Sequence, residues 1–203
     1  QTGSSVKLFI LAAALQAGAH PEDTLNGTHP CTLPDPNLPG DQTFELRGGV
    51  NGGVATVRRH TVRSINSAFA RLSQIVGLNR VVDTIYRMAA NPYLRRDTPP
   101  EEREPMTAFA NLAIGSNELS TLDMAAGIQS IANEGVHHEP YYVEFVDDAE
   151  GNRLYTHFDT GDEVLSRQAS LRAIDIMKGV LTSGTARRTL AEYAEVRPAF
   201  GKT

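Results

Sequence analysis

The chain has 203 residues, 40% of them hydrophobic, and a net charge of −5 from 19 Lys+Arg against 24 Asp+Glu. That composition is globular; it excludes disorder, which needs low hydrophobicity and high net charge, and it excludes an overall basic footprint for nucleic acid. The longest apolar run, Leu8 to Leu15, is far short of the roughly 20 residues of a membrane helix, and the single cysteine, Cys31, excludes an internal disulfide and a cysteine-only zinc site.

In chain order, residues 4–17 read as a helix: Ser4 and Ser5 suit its start, an Ala/Leu-rich body follows, and Gly18 suits its stop. Residues 19–53 hold Pro21, Pro30, Pro34, Pro36 and Pro39, then Gly40, Gly48, Gly49, Gly52 and Gly53, and read as a long irregular connection. Connections of that length are uncommon and often functional. Val62, Ile65, Phe69, Leu72 and Val76 follow helical spacing, so periodicity alone predicts one helix over 62–76, ended by Gly77. A shorter helix is expected over 80–90, and Glu101-Glu102-Arg103-Glu104 reads as a solvated charge run. Ser120-Thr121-Leu122-Asp123 has capping-box spacing and opens a helix that Gly135 closes. Residues 141–146 and 153–156 are β-rich runs around the acidic, Gly-containing turn 147–152, which predicts a hairpin. A last helix is expected over 167–181. Adjacent histidines on a strand face opposite ways, so His137-His138 is not read as a metal pair. Asp147, Asp148 and Glu150 lack EF-hand spacing. No cofactor and no metal are expected.

The chemistry begins with the lysines, of which there are three: Lys7, Lys178 and Lys202. Lys7 follows Ser4 by three residues, and positions i and i+3 of a helix are neighbours on one face. An amine can serve as the general base of a hydroxyl if it is partly neutral, and burial and the positive end of a helix both disfavour the ammonium form. Such a lysine could take the Ser4 proton as Ser4 attacks a carbonyl. A Ser-x-x-Lys match arises by chance about 0.16 times in a chain of this composition. Read alone, it fits a capped helix with a solvated lysine better. Ser64-Ile65-Asn66 and the final Lys202-Thr203 are each weak alone.

Together and in this order, Ser-x-x-Lys, Ser-x-Asn and Lys-Thr resemble the motif set of penicillin-binding proteins and serine β-lactamases. Thr2-Gly3-Ser4-Ser5-Val6-Lys7-Leu8-Phe9 is similar to that group's nucleophile helix, and residues 63–72 are similar to its second-motif segment. Ala113-Ile114-Gly115-Ser116 through Ala132-Asn133-Glu134-Gly135 resembles class A, bifunctional penicillin-binding proteins. Thr182-Ser183-Gly184-Thr185-Ala186 resembles the loop before the third motif.

The resemblance implies an α+β fold: a fragment of the β-lactamase/transpeptidase-like fold, mostly its helical subdomain with a small β-hairpin, and most of the central sheet missing. Residues 1–203 would be one partial transpeptidase domain, truncated at both ends and inactive alone. Ser4 would be the acylated nucleophile, Lys7 its base and Ser64 a proton relay touching the amines of Lys7 and Lys202. The second motif would sit on a turn between two helices, against the periodicity. Asn66 would bind a side amide of the donor peptide. Lys202, Thr203 and Thr185 would line the opposite wall, where the terminal carboxylate of the substrate is held. The partners implied are a peptidoglycan stem peptide ending in D-Ala-D-Ala and β-lactams as covalent inhibitors, with no nucleic acid. The parent would be a D,D-transpeptidase with carboxypeptidase activity, membrane-anchored, extracytoplasmic and preceded by a glycosyltransferase domain. A serine β-lactamase is the nearest alternative, but Glu101, Glu102, Glu104 and Glu118 lack the setting of its deacylating carboxylate, and Ile65 stands where those enzymes usually carry Asp. A non-catalytic β-lactam sensor of the same fold is the other.

Overall fold

The computed structural model describes residues 2–40, 42–90, 106–190 and 199–203. At its centre lies α1 (Lys7–Gln16), entered through a short 3-10 turn, Gly3–Val6. Every residue from Lys7 to Leu15 is buried. A helix apolar all round needs neighbours all round, and α1 packs against α3 (Asn66–Val76), α4 (Leu78–Met88), α5 (Thr121–Ala132) and α6 (Arg167–Thr182). Phe9 reaches α5 where Gly127 leaves room; a Cβ there would lie 2.5 Å from the ring. The far end of α1 is tied to the start of α6, because Gln16 Oε1 accepts from the Ser166 N–H at 2.8 Å.

The Pro/Gly stretch departs from the expected irregular connection. It contains β1 (Thr24–Asn26), β2 (Cys31–Pro34) and β3 (Thr43–Leu46). Strand β2 pairs antiparallel with β3, and β1 pairs with β4 (Val54–Thr56). The loop is fixed to the helices beneath it. Ser67 Oγ donates to Gly27 O at 2.7 Å, Arg71 donates to the carbonyls of Asn26 and Thr28, and His60 Nε2 lies 2.8 Å from Leu25 O.

The single helix predicted over 62–76 is also overturned. Helix α2 (Val57–Val62) ends, Arg63 and Ser64 turn, and α3 begins at Asn66. This is the turn between two helices that the family resemblance implies. Periodicity misleads because the burial stripe runs across the break: Val62, Ile65, Phe69 and Leu72 are all buried, although Ile65 lies in no helix.

The other elements lie close to expectation. Helix α4 starts and ends two residues before the predicted span, and Ser120 and Asp123 form the reciprocal capping box of α5. Strands β5 (Val136–His137) and β8 (Asp162–Glu163) pair, as do β6 (Phe145–Asp147) and β7 (Arg153–Thr156). The hairpin is thus shorter than predicted on its first side. Asp148 staples its turn, accepting from the backbone N–H groups of Glu150 and Asn152. The charge run 101–104 lies outside the described residues. Among the described residues no helix is long and apolar enough to cross a membrane.

Candidate active site

Lys7 is the first residue of α1 and Ser4 lies on the 3-10 turn before it, so the three-residue spacing puts amine and hydroxyl side by side. Lys7 Nζ is 2.8 Å from Ser4 Oγ. The Lys7 side chain is fully buried, with its amine 5.6 Å from the centre of the Phe69 ring. The turn between α2 and α3 supplies the second motif. Ser64 adopts a left-handed backbone, φ 56°, which is rare for a residue with a Cβ. That conformation turns both its carbonyl and its hydroxyl toward Lys7, at 2.9 and 3.2 Å. Asn66, at the start of α3, places Oδ1 2.5 Å from the same amine.

These partners fix the state of Lys7. Burial and, second to it, the charge of Lys202 lower its pKa from 10.5 to about 7. A neutral amine has two N–H groups and one lone pair. Ser64 O and Asn66 Oδ1 can only accept and therefore take the two N–H groups. The lone pair is left for a hydroxyl, and the Ser4 hydroxyl is the nearest. The arrangement would let Lys7 act as a general base toward the Ser4 hydroxyl.

The third motif closes the opposite side. Lys202 Nζ donates to Ser64 Oγ at 2.6 Å and to Thr203 O, and Ser64 Oγ donates to Thr203 O at 3.0 Å. Burial lowers the Lys202 pKa to about 8. The Ser64 hydroxyl therefore bridges two amines across the cleft. Thr185 Oγ1 hydrogen-bonds Thr203 Oγ1. The loop bearing Thr185 rests on the end of α2: its N–H donates to Val62 O at 3.3 Å, and a Cβ on Gly184 would lie 2.4 Å from that oxygen. All seven residues singled out in the sequence, Ser4, Lys7, Ser64, Asn66, Thr185, Lys202 and Thr203, thus meet in one cleft.

Two features of the site escape sequence reasoning. One is the Ser64 carbonyl, since a left-handed serine has no local sequence signal. The other is Gly115. It has φ 83°, and a Cβ there would lie 2.3 Å from both the N and the O of Gly3. Backbone packs on backbone directly behind the nucleophile. Ile114-Gly115-Ser116 belongs to the segment that carries the class A resemblance, which is the one signal available for it.

The profile of the penicillin binding protein transpeptidase domain matches residues 1–203. The chain belongs to that family. A penicillin-binding protein 1A from Rickettsia felis is 29% identical over 155 residues, 76% of this chain and 18% of that protein. The crystal structure of penicillin-binding protein 1A from Haemophilus influenzae superposes with a TM-score of 0.74 at 20% identity, covering 93% of this chain and 32% of that one. A penicillin G acyl-enzyme complex of penicillin-binding protein A from Mycobacterium tuberculosis superposes with a TM-score of 0.65 at 24% identity, covering 88% of this chain and 43% of that one. These structural likenesses establish the transpeptidase fold, and the relatives named penicillin-binding protein 1A bear out the class A resemblance. This transpeptidase-family chain spans less than a fifth of the length of the Rickettsia relative.

Proposed function

We propose that this chain carries the nucleophile and both cleft rims of a D,D-transpeptidase that cross-links peptidoglycan stem peptides through an acyl ester of Ser4. The observation that carries this reading is the buried Lys7 amine, lowered to about pKa 7 and 2.8 Å from Ser4 Oγ.

Ser4 Oγ attacks the carbonyl carbon of the D-Ala–D-Ala bond while Lys7 takes its proton. The Ser4 N–H faces the oxygen of the tetrahedral intermediate. The carbon–nitrogen bond then breaks, and the leaving amine takes a proton through Ser64, which touches both lysines. An acceptor amine next attacks the ester, its proton passing back to Ser4 Oγ; water in its place gives the carboxypeptidase product. Asn66 serves the donor peptide through Nδ2, since Oδ1 is held by Lys7. Lys202, with Thr203 and Thr185, holds the terminal carboxylate as a charge-assisted pair. A β-lactam follows the same path as far as the ester. The parent acts on the extracytoplasmic side of a bacterial membrane, to which it is anchored, and also carries a glycosyltransferase domain.

The test is labelling of the full-length parent with a fluorescent penicillin. Wild type becomes covalently labelled and Ser4→Ala does not. Equal labelling of the two would sink the assignment of Ser4.

A further inference from the structure

A second cleft, of about 680 Å³, opens beside the active site, between α2 and the loop that carries Thr185. Its lining includes Arg59, Arg63, Val54, Val62 and Ser183. Arg63 is the residue before Ser64, Ser183 lies two before Thr185, and the Thr185 N–H reaches Val62 O in the cleft lining, so this cleft borders the active site on the side of α2. Arg59 and Arg63 are four apart in sequence and both exposed. Like charges at that spacing along a helical turn repel. Neighbouring Arg58 is paired with Glu22 and Asp175 at 2.6 and 2.8 Å. Arg59 and Arg63 have no acidic partner among the described residues. In a chain of net charge −5, two unpaired guanidiniums beside an apolar wall form a local anion-binding surface. The other polar groups of the cleft are engaged: Thr56 Oγ1 caps α2 by accepting from the Arg59 N–H, and Ser183 Oγ donates to Gly179 O.

Position says which reactant reaches it. This step rests on the transpeptidase reading above. The leaving group and the acceptor amine occupy the same side of the acyl carbonyl, because the second half-reaction reverses the geometry of the first. The leaving D-Ala carboxylate is held at Lys202, Thr203 and Thr185, so the acceptor strand enters from that wall, and the arginine cleft borders it where Thr185 meets Val62. We propose that Arg59 and Arg63 bind a carboxylate on the acceptor peptide, one set back from its reacting amine, and so favour acidic acceptors over neutral ones. In the step concerned the acceptor nitrogen bonds to the acyl carbon, the ester bond to Ser4 Oγ breaks, and the nitrogen's proton returns to Ser4 Oγ by way of Ser64 and Lys7. The arginines position the acceptor and take no part in the proton transfer.

The experiment uses the full-length parent, a donor peptide ending in D-Ala-D-Ala, and two acceptors of matched amine basicity, Nα-acetyl-lysine and Nα-acetyl-lysinamide. The ratio of aminolysis to hydrolysis product is measured for each. Wild type is expected to favour the acid about tenfold, with the preference shrinking as salt rises toward 1 M. The double variant Arg59→Gln/Arg63→Gln should bring the preference to about one, and Arg59→Glu/Arg63→Glu should reverse it. Fluorescent penicillin labelling should be unchanged in both, which shows that they fold; the single Gln variants, each losing part of the preference, serve if a double variant fails to label. No preference in wild type, or a preference kept in labelled variants, overturns the proposal. Failure of wild type to label at Ser4 instead strikes the transpeptidase reading itself.

Discussion

Two lysines with opposite duties set the pH response of the site. In the proposed mechanism Lys7 must be neutral to accept the Ser4 proton, and Lys202 must be charged to hold a carboxylate. With pKa values of about 7 and about 8, the rate of penicillin acylation should rise through the first and fall through the second. The two limbs belong to the coupled pair, since the Lys202 charge contributes to the lowering of Lys7. Lys202→Gln removes that charge, so the rising limb should move to higher pH; an unmoved limb would contradict the coupling. The same shift has a stability consequence. A folded-state pKa of about 7 against 10.5 means that the unfolded chain binds more protons between those values, so stability rises with pH across that window. Lys7→Met should flatten that rise in chemical unfolding measured at several pH values. At this scale the sequence is most legible where partners are local. Ser4 and Lys7 meet because three residues of helix bring them together, whereas Lys202 and Ser64 are 138 residues apart and no spacing predicts their contact.

The elements present the proposed catalytic residues, and at Gly115 and Gly184 they meet backbone on backbone. Gly115 is where the turn Ala110–Ile114 ends, and its Cα packs on Gly3. Gly115→Ala should cost about 1–3 kcal/mol from backbone strain alone. It should also displace Ser4, slowing acylation by as much as a hundredfold, since a misplacement of about 1 Å can cost that much. Gly151→Ala is the control: φ is 85° there too, but its Cβ would meet open space in the hairpin turn, and acylation should not change. Stopped-flow penicillin acylation of both variants separates strain from displacement. The capping box of α5 was legible because Ser120 and Asp123 lie within one turn. The break between α2 and α3 was not, because it shows in the φ of Ser64 while the apolar rhythm continues through it. Strands β1 to β4 were hidden for a third reason: each is three or four residues long, and β1 finds its partner across nearly thirty residues.

At the scale of the molecule, one apolar helix organises everything. Phe9 is fully buried in α1, so Phe9→Ala should cost about 3–5 kcal/mol in equilibrium unfolding. Because α1 also carries Lys7, residual acylation should fall with stability rather than independently of it. The class of fold and the cleft were legible through the family resemblance that the three motifs carry in order. What no local pattern showed was that the most apolar segment is the hub, touched by helices that arrive much later in the chain. That order has a consequence in time. During synthesis α1 emerges well before α6, which covers its last side and begins only at Arg167. At about 5–20 residues per second, α1 waits roughly 8–30 seconds with bare apolar flanks. Ser4 is thus made long before it becomes usable, and a newborn chain cannot acylate anything until Lys202, 198 residues later, has joined the cleft.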